Sequence, residues 1–162
     1  MSVMDYGSAI LVLQQPTMGP FYFDGAGEDR HSTARPQKVK VMVVDDESTI
    51  AHTLVEILSD EGFEVTAALT GDSAVELAGT FKPDIVLSDV VIPGMNGVEA
   101  GIKIRALLPK CRVILFSGQA ATVDLLKQAR NQGHEFEILA KPIRPEALIS
   151  VIRRTESDSK RQ

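Results

Sequence analysis

The chain has 162 residues, enough for one domain with a short extension. With 44% hydrophobic and 24% charged residues it has the composition of a soluble globular protein, and its net charge of −5 argues against a nucleic-acid surface, which favours basic patches. No apolar run approaches the roughly 20 residues that span a bilayer, and the single cysteine, Cys111, cannot form an internal disulfide, so a cytoplasmic protein without membrane contact is expected.

Residues 1–37 are interrupted by Pro16, Gly19, Pro20, Gly25, Gly27 and Pro36, with no sustained helical or strand period. They are expected to form a flexible N-terminal extension. The run Ala9–Leu13 is too short for a signal sequence and lacks a basic stretch before it. The Phe21-Tyr22-Phe23 cluster leaves a docking arm as the sharper alternative.

Regular alternation begins at Lys38. The first strand, Lys40–Val44, runs into Asp45-Asp46, and Ile50, Leu54, Ile57 and Leu58 then recur at helical spacing. Gly62 follows where a helix C-cap belongs. Phe63–Leu69 reads as the second strand and Asp72–Gly79 as a short second helix. The third strand, from Asp84 to Ser88, runs into Asp89. Asn96-Gly97 opens a third helix with Val98, Ile102 and Leu108 among its apolar positions. Gly101 inside that helix costs roughly 1 kcal/mol against alanine, which a tight helix–sheet contact would explain. Arg112–Phe116 runs into Ser117-Gly118, and a fourth helix covers Thr122–Asn131, ending before Gly133. Glu137–Ala140 runs into Lys141-Pro142, and Pro145 opens a fifth helix carrying Leu148, Ile149 and Ile152. The expected organisation is extension 1–37, folded domain 38–154 and polar tail 155–162.

Continuous Val/Ile/Leu runs mark strands buried on both faces. Alternation with helices then predicts an α/β fold: a doubly wound, five-stranded parallel sheet in flavodoxin-like order 2-1-3-4-5, with helices on both faces. In such sheets ligands sit outside the carboxyl ends of the strands. The carboxylates of Asp45, Asp46 and Asp89, the Ser117 hydroxyl and the Lys141 ammonium would converge on that edge. Two like charges about 4 Å apart repel by ~4 kcal/mol at an effective dielectric of ~20. Such a cluster therefore needs a cation, and its chemistry suits phosphoryl transfer with a divalent metal.

These motifs resemble the receiver domain of two-component response regulators. That family places an acidic pair after its first strand, a phosphoacceptor Asp after the third, Ser or Thr after the fourth and Lys-Pro after the fifth. Here they are Asp45-Asp46, Asp89, Ser117 and Lys141-Pro142, in that order. The stretch Asp84–Gly97 also resembles the family's Pro-Gly-Met-x-Gly loop, and the resemblance covers about residues 38–154. It implies that Asp89 accepts the phosphoryl group as an aspartyl phosphate. It implies Mg²⁺ held directly by Asp46 and Asp89, through water by Asp45, and by the backbone carbonyl of Val91. Lys141, ahead of a cis bond to Pro142, would pair with Asp89 at rest and with a phosphoryl oxygen afterwards. Ser117 would be the switch hydroxyl that draws the loop before the fourth helix inward, with Gly118 leaving room for the phosphoryl group. The implied partners are a sensor histidine kinase or histidine phosphotransfer protein and a downstream protein target. A homodimer through the helix 4–strand 5–helix 5 face is open, and direct nucleic-acid contact is not expected. Eight residues follow Arg154, so a stand-alone receiver is expected.

Two departures matter. Ile138 stands where the family usually has an aromatic residue coupled to the hydroxyl, and Phe136 lies two positions earlier, on the same face if both are in a strand. Val91 and Gln119 occupy the positions at which members vary in losing phosphate. An alternative is a Mg²⁺-dependent phosphatase resembling the haloacid dehalogenase superfamily, but there the nucleophile follows the first strand and the acidic pair comes late. A phosphorylation-independent binding module is the other alternative, opposed by the intact set of site residues. His31, His52 and His134 are too scattered to form a metal site.

Overall fold

The computed structural model describes residues 37–118 and 122–159, and these lie in one unit spanning Arg35–Gln162. Residues 1–36 of the proposed extension, with its aromatic cluster and His31, together with Gln119 and the last three residues, fall outside the described residues. Five strands, β1 (Lys40–Val44), β2 (Glu64–Ala68), β3 (Ile85–Asp89), β4 (Arg112–Ser117) and β5 (Glu137–Ala140), alternate with five helices. The helices are α1 (Ser48–Asp60), α2 (Gly71–Phe81), α3 (Gly97–Leu107), α4 (Thr122–Asn131) and α5 (Pro145–Ser159). Every strand pair is parallel and the order is β2-β1-β3-β4-β5, the doubly wound arrangement that the alternation predicts.

Alternate residues of the central strands feed two separate cores, because successive side chains point to opposite faces. Met42, Val44, Val86, Val113 and Leu115 pack with Ala74 and Ala78 of α2, Ile104 of α3 and Ala129 of α4. Val41, Val43, Ile85, Leu87, Ile114 and Phe116 pack with Leu54 and Leu58 of α1 and Leu148 and Ile152 of α5. The strand at the far edge departs from expectation. Among the described residues β5 has a neighbour on one side only, and its residues alternate between half-buried and exposed.

Local signals largely place the helix ends. Thr70 and Ser73 form a capping box at α2, as do Asn96 and Glu99 at α3. After α1 the chain turns through Gly62, whose φ of +94° suits glycine, and the Phe63 N–H closes onto the Leu58 carbonyl at 3.2 Å. The buried stripe of α1 is Ala51, Leu54 and Leu58; Ile50 is exposed because it precedes that stripe by one residue, about 100° around the helix. Gly101 behaves as its cost suggested: a Cβ there would lie 3.0 Å from both the Phe136 ring and Val113.

Cys111 is buried, and burial pushes its thiol up to about 12. The thiolate is the reactive form, so below pH 9 a shift from 9.0 to about 12 leaves on the order of 1,000-fold less of it. Alkylation at pH 8, followed by mass spectrometry, should therefore be at least ~100-fold slower in the folded protein than in urea. Equal rates in the two conditions would show that the thiol is open to solvent.

Candidate functional site

Strand register brings the site together. Val44 lies opposite Ser88, Asp89 opposite Phe116, and Ser117 opposite Ala140. Asp45, Asp89, Ser117 and Lys141 therefore form a row at one rim of the sheet, as the strand ends predicted.

Asp45 is buried, only 2% exposed, while Asp46 beside it is exposed. The Asp45 N–H bonds to the Ala68 carbonyl at 3.2 Å, extending the pairing with β2. Its carboxylate Oδ1 accepts the Glu47 N–H at 2.9 Å, a tight turn just ahead of α1. Burial is the main reason that the Asp45 carboxyl is raised above its ordinary range, and Asp89 and Asp46 push it the same way. The Glu47 N–H and the Lys141 ammonium oppose them.

Asp89 ends β3, half-buried, with both oxygens engaged. Lys141 Nζ donates to Oδ2 at 2.5 Å and the Val91 N–H donates to Oδ1 at 3.1 Å. Lys141 reaches inward from beyond β5: its N–H bonds to the Ser117 carbonyl at 2.9 Å, and its bond to Pro142 is cis. Gly118 lets the lysine stem pass, since a Cβ there would sit 3.2 Å from Lys141 Cβ. The glycine's space is thus shared with the lysine rather than reserved for a phosphoryl group.

One oxygen from each of Asp45, Asp46 and Asp89 lies within 4.8 Å of the others, the only such acidic or His/Cys cluster among the described residues. Hard oxygen donors of this kind suit Mg²⁺, and the exposed Asp46 leaves the cluster open to solvent. His52 is exposed on α1, with Nδ1 bonded to the Ser48 carbonyl at 2.6 Å, and His134 follows α4, away from the three aspartates in the chain.

Three features escaped the sequence. Ser117 shares a hydrogen bond with the Thr122 hydroxyl, the first residue of α4 and 1% exposed. A Thr five residues beyond the Ser at a helix start was the only signal. The loop after Asp89 is gripped by two glycines: a Cβ at Gly71 would meet the Met95 carbonyl oxygen at 2.3 Å, and one at Gly97 would meet the Asp89 carbonyl oxygen at 2.0 Å. Phe136 precedes β5, so the same-face relation to Ile138 does not apply. It packs on Gly101 beneath the Arg105 guanidinium, 4.4 Å from the ring, while Ile138 is 45% exposed.

The sheet is flavodoxin-like, and its acidic cluster, lysine and hydroxyl lie on the carboxyl rim, where open α/β sheets bind their ligands. Residues 41–153 match the response regulator receiver domain, and the chain belongs to that family. It is 35% identical over 115 residues to the probable transcriptional regulator ycf29 of Porphyra purpurea, covering 70% of this chain and 54% of the relative. It is 28% identical over 114 residues to the DNA-binding response regulator MtrA of Mycobacterium tuberculosis, covering 70% and 49%. The chain thus spans about half the length of these curated relatives. A solved CheY-like receiver domain protein from Methanospirillum hungatei superposes with a TM-score of 0.69 at 25% identity, covering 77% of this chain and 98% of that one. No helix among the described residues is long and apolar enough to cross a membrane.

Proposed function

We propose that Asp89 accepts a phosphoryl group from a phosphohistidine on a sensor kinase or phosphotransfer protein. Support comes above all from the 2.5 Å Lys141–Asp89 pair beside a nest of carboxylates. An Asp89 oxygen attacks phosphorus, the P–N bond to the donor imidazole breaks, and its electron pair stays on that nitrogen. Lys141 follows the charge from carboxylate to phosphoryl oxygen, and Ser117 donates to another phosphoryl oxygen. Asp46, Asp89 and the Val91 carbonyl would hold Mg²⁺ directly, with Asp45 acting through water. A bound Mg²⁺ would neutralise charge on the transferring group. The protein catalyses only its own phosphorylation and slow dephosphorylation.

The functional unit in this reading is 38–154, flanked by an extension and a tail, working in the cytoplasm as a stand-alone receiver on a protein target. Coverage of 98% of the M. hungatei receiver supports that size. The helix 4–strand 5–helix 5 face, with Ile138 exposed on it, is the proposed output or homodimer surface. A second reading, a receiver fused to a DNA-binding effector, draws on the names and greater length of the curated relatives. The mass of the endogenous polypeptide separates the two.

Labelling with acetyl phosphate tests the chemistry. One phosphoryl group per chain is expected with Mg²⁺, and none with chelator or in Asp89→Asn. Labelling that survives D89N sinks the assignment. Val91 is 48% exposed but has no polar group to orient water, so Val91→Asn should shed phosphate faster than the parent. Equal or slower loss, followed by acid-stable counts over time, refutes that role.

A further inference from the structure

Ser117 has little freedom in its backbone: it ends β4, and its carbonyl accepts the Lys141 N–H at 2.9 Å. Its side chain is half-buried, and a serine hydroxyl can otherwise rotate among staggered positions. What holds it is the hydroxyl of Thr122, buried at the start of α4 and hydrogen-bonded to Ser117 Oγ. A hydroxyl has one proton to donate and two lone pairs to accept. If Thr122 donates, Ser117 keeps its own proton for a second acceptor.

We propose that Thr122 is a positioning residue for Ser117, donating to its Oγ so that the Ser117 proton is left for an anion on Asp89. This rests on the phosphoacceptor reading above. Thr122 touches no phosphoryl oxygen in this role and acts only through Ser117. The bond also ties the hydroxyl that meets the phosphoryl group to the first turn of α4, without any aromatic side chain between them. That matters here because Ile138 faces outward and Phe136 is held under Arg105.

The test is beryllofluoride affinity in the presence of Mg²⁺, for variants at Thr122 in the parent and in Ser117→Ala. Thr122→Val keeps the volume and removes the hydroxyl, whereas Thr122→Ser keeps the hydroxyl. T122V should weaken binding about fivefold or more in the parent and less than about twofold in S117A, as coupled residues require. T122S should stay within about twofold of the parent, since the hydroxyl is retained. Equal weakening in both backgrounds, or none in the parent, overturns the proposal. If valine prevents folding, Thr122→Ala makes the same comparison; if both fail to fold while T122S folds, the role is structural and the proposal falls. A parent that binds no beryllofluoride removes the phosphoacceptor reading itself, and this role with it. A parent that binds but is indifferent to T122V removes only the role.

Discussion

Replacing Gly97 with alanine should lower stability by about 3 kcal/mol and slow phosphorylation in the same step, because overpacking against backbone has no side chain to push aside. An added Cβ would lie 2.0 Å from the Asp89 carbonyl oxygen and 2.8 Å from Ser88 Oγ. Either the first turn of α3 or the end of β3 has to move. The Gly97 N–H also bonds to the Val90 carbonyl at 3.0 Å, so the shift reaches the whole loop between them. Asp89 moves with its carbonyl, away from a lysine now 2.5 Å from its carboxylate. For a domain of this size the melting temperature should fall by on the order of 10 °C. Gly79→Ala is the contrast. It lies on α2 with nothing within 4 Å of an added Cβ, so helix propensity alone should raise stability by up to ~1 kcal/mol. Thermal melts of both variants check the pair, and a G97A protein as stable as the parent would mean that the two backbones are not in this contact.

Lys141→Ala should cost about 2 kcal/mol without divalent metal and recover much of it when Mg²⁺ is added, since removing one partner of a buried pair leaves a charge uncompensated. Three carboxylates share the rim, and Lys141 is the ammonium paired with Asp89. Asp89 keeps 13% of its side chain exposed and Lys141 33%, so solvent screens the pair and the loss should fall below that of a fully buried bridge. With the ammonium gone, Mg²⁺ would no longer compete with it for the Asp89 oxygens. A ligand that binds the folded state more tightly raises its stability more. The rise in melting temperature on adding Mg²⁺ should therefore be larger in K141A than in the parent. A smaller rise would show that Lys141 does not balance this cluster. D89N, which removes one proposed ligand and the lysine's partner together, should respond least.

The strands were legible because burial on both faces leaves an unbroken apolar signature, and β1, β3 and β4 carry it in full. Once those three are parallel and adjacent, the residues just beyond them must share a rim, so Asp45, Asp89 and Ser117 could be placed from the sequence. Lys141 came from its position after a fourth apolar run. That run misled in one respect. The expected order already puts β5 at the edge, but the run does not say which of its residues that edge leaves open, and the exposed Ile138 of β5 looks no different in sequence from the buried Ile114 of β4. Likewise, Asp45-Asp46 does not say which aspartate turns inward; it is Asp45, and burial raises its carboxyl. The Ser117–Thr122 bond depends on where α4 begins relative to β4, which local periodicity does not specify. Gly97 reads only as part of the opening of the third helix and Gly71 lies just outside the expected second helix; their packing role emerges only when α2, β3 and the intervening loop are in place.

Parallel strands also segregate the two ends of the molecule. Every turn that leads into a strand, including the exposed Pro109-Lys110 ahead of β4, lies at the rim opposite the carboxylates. At about 3.3 Å per residue, the six residues of β4 put roughly 20 Å between that turn and Ser117. A dye or peptide epitope grafted at Pro109-Lys110 would report on the protein without crowding its chemistry, a convenient handle for testing the proposed encounter with a kinase in real time.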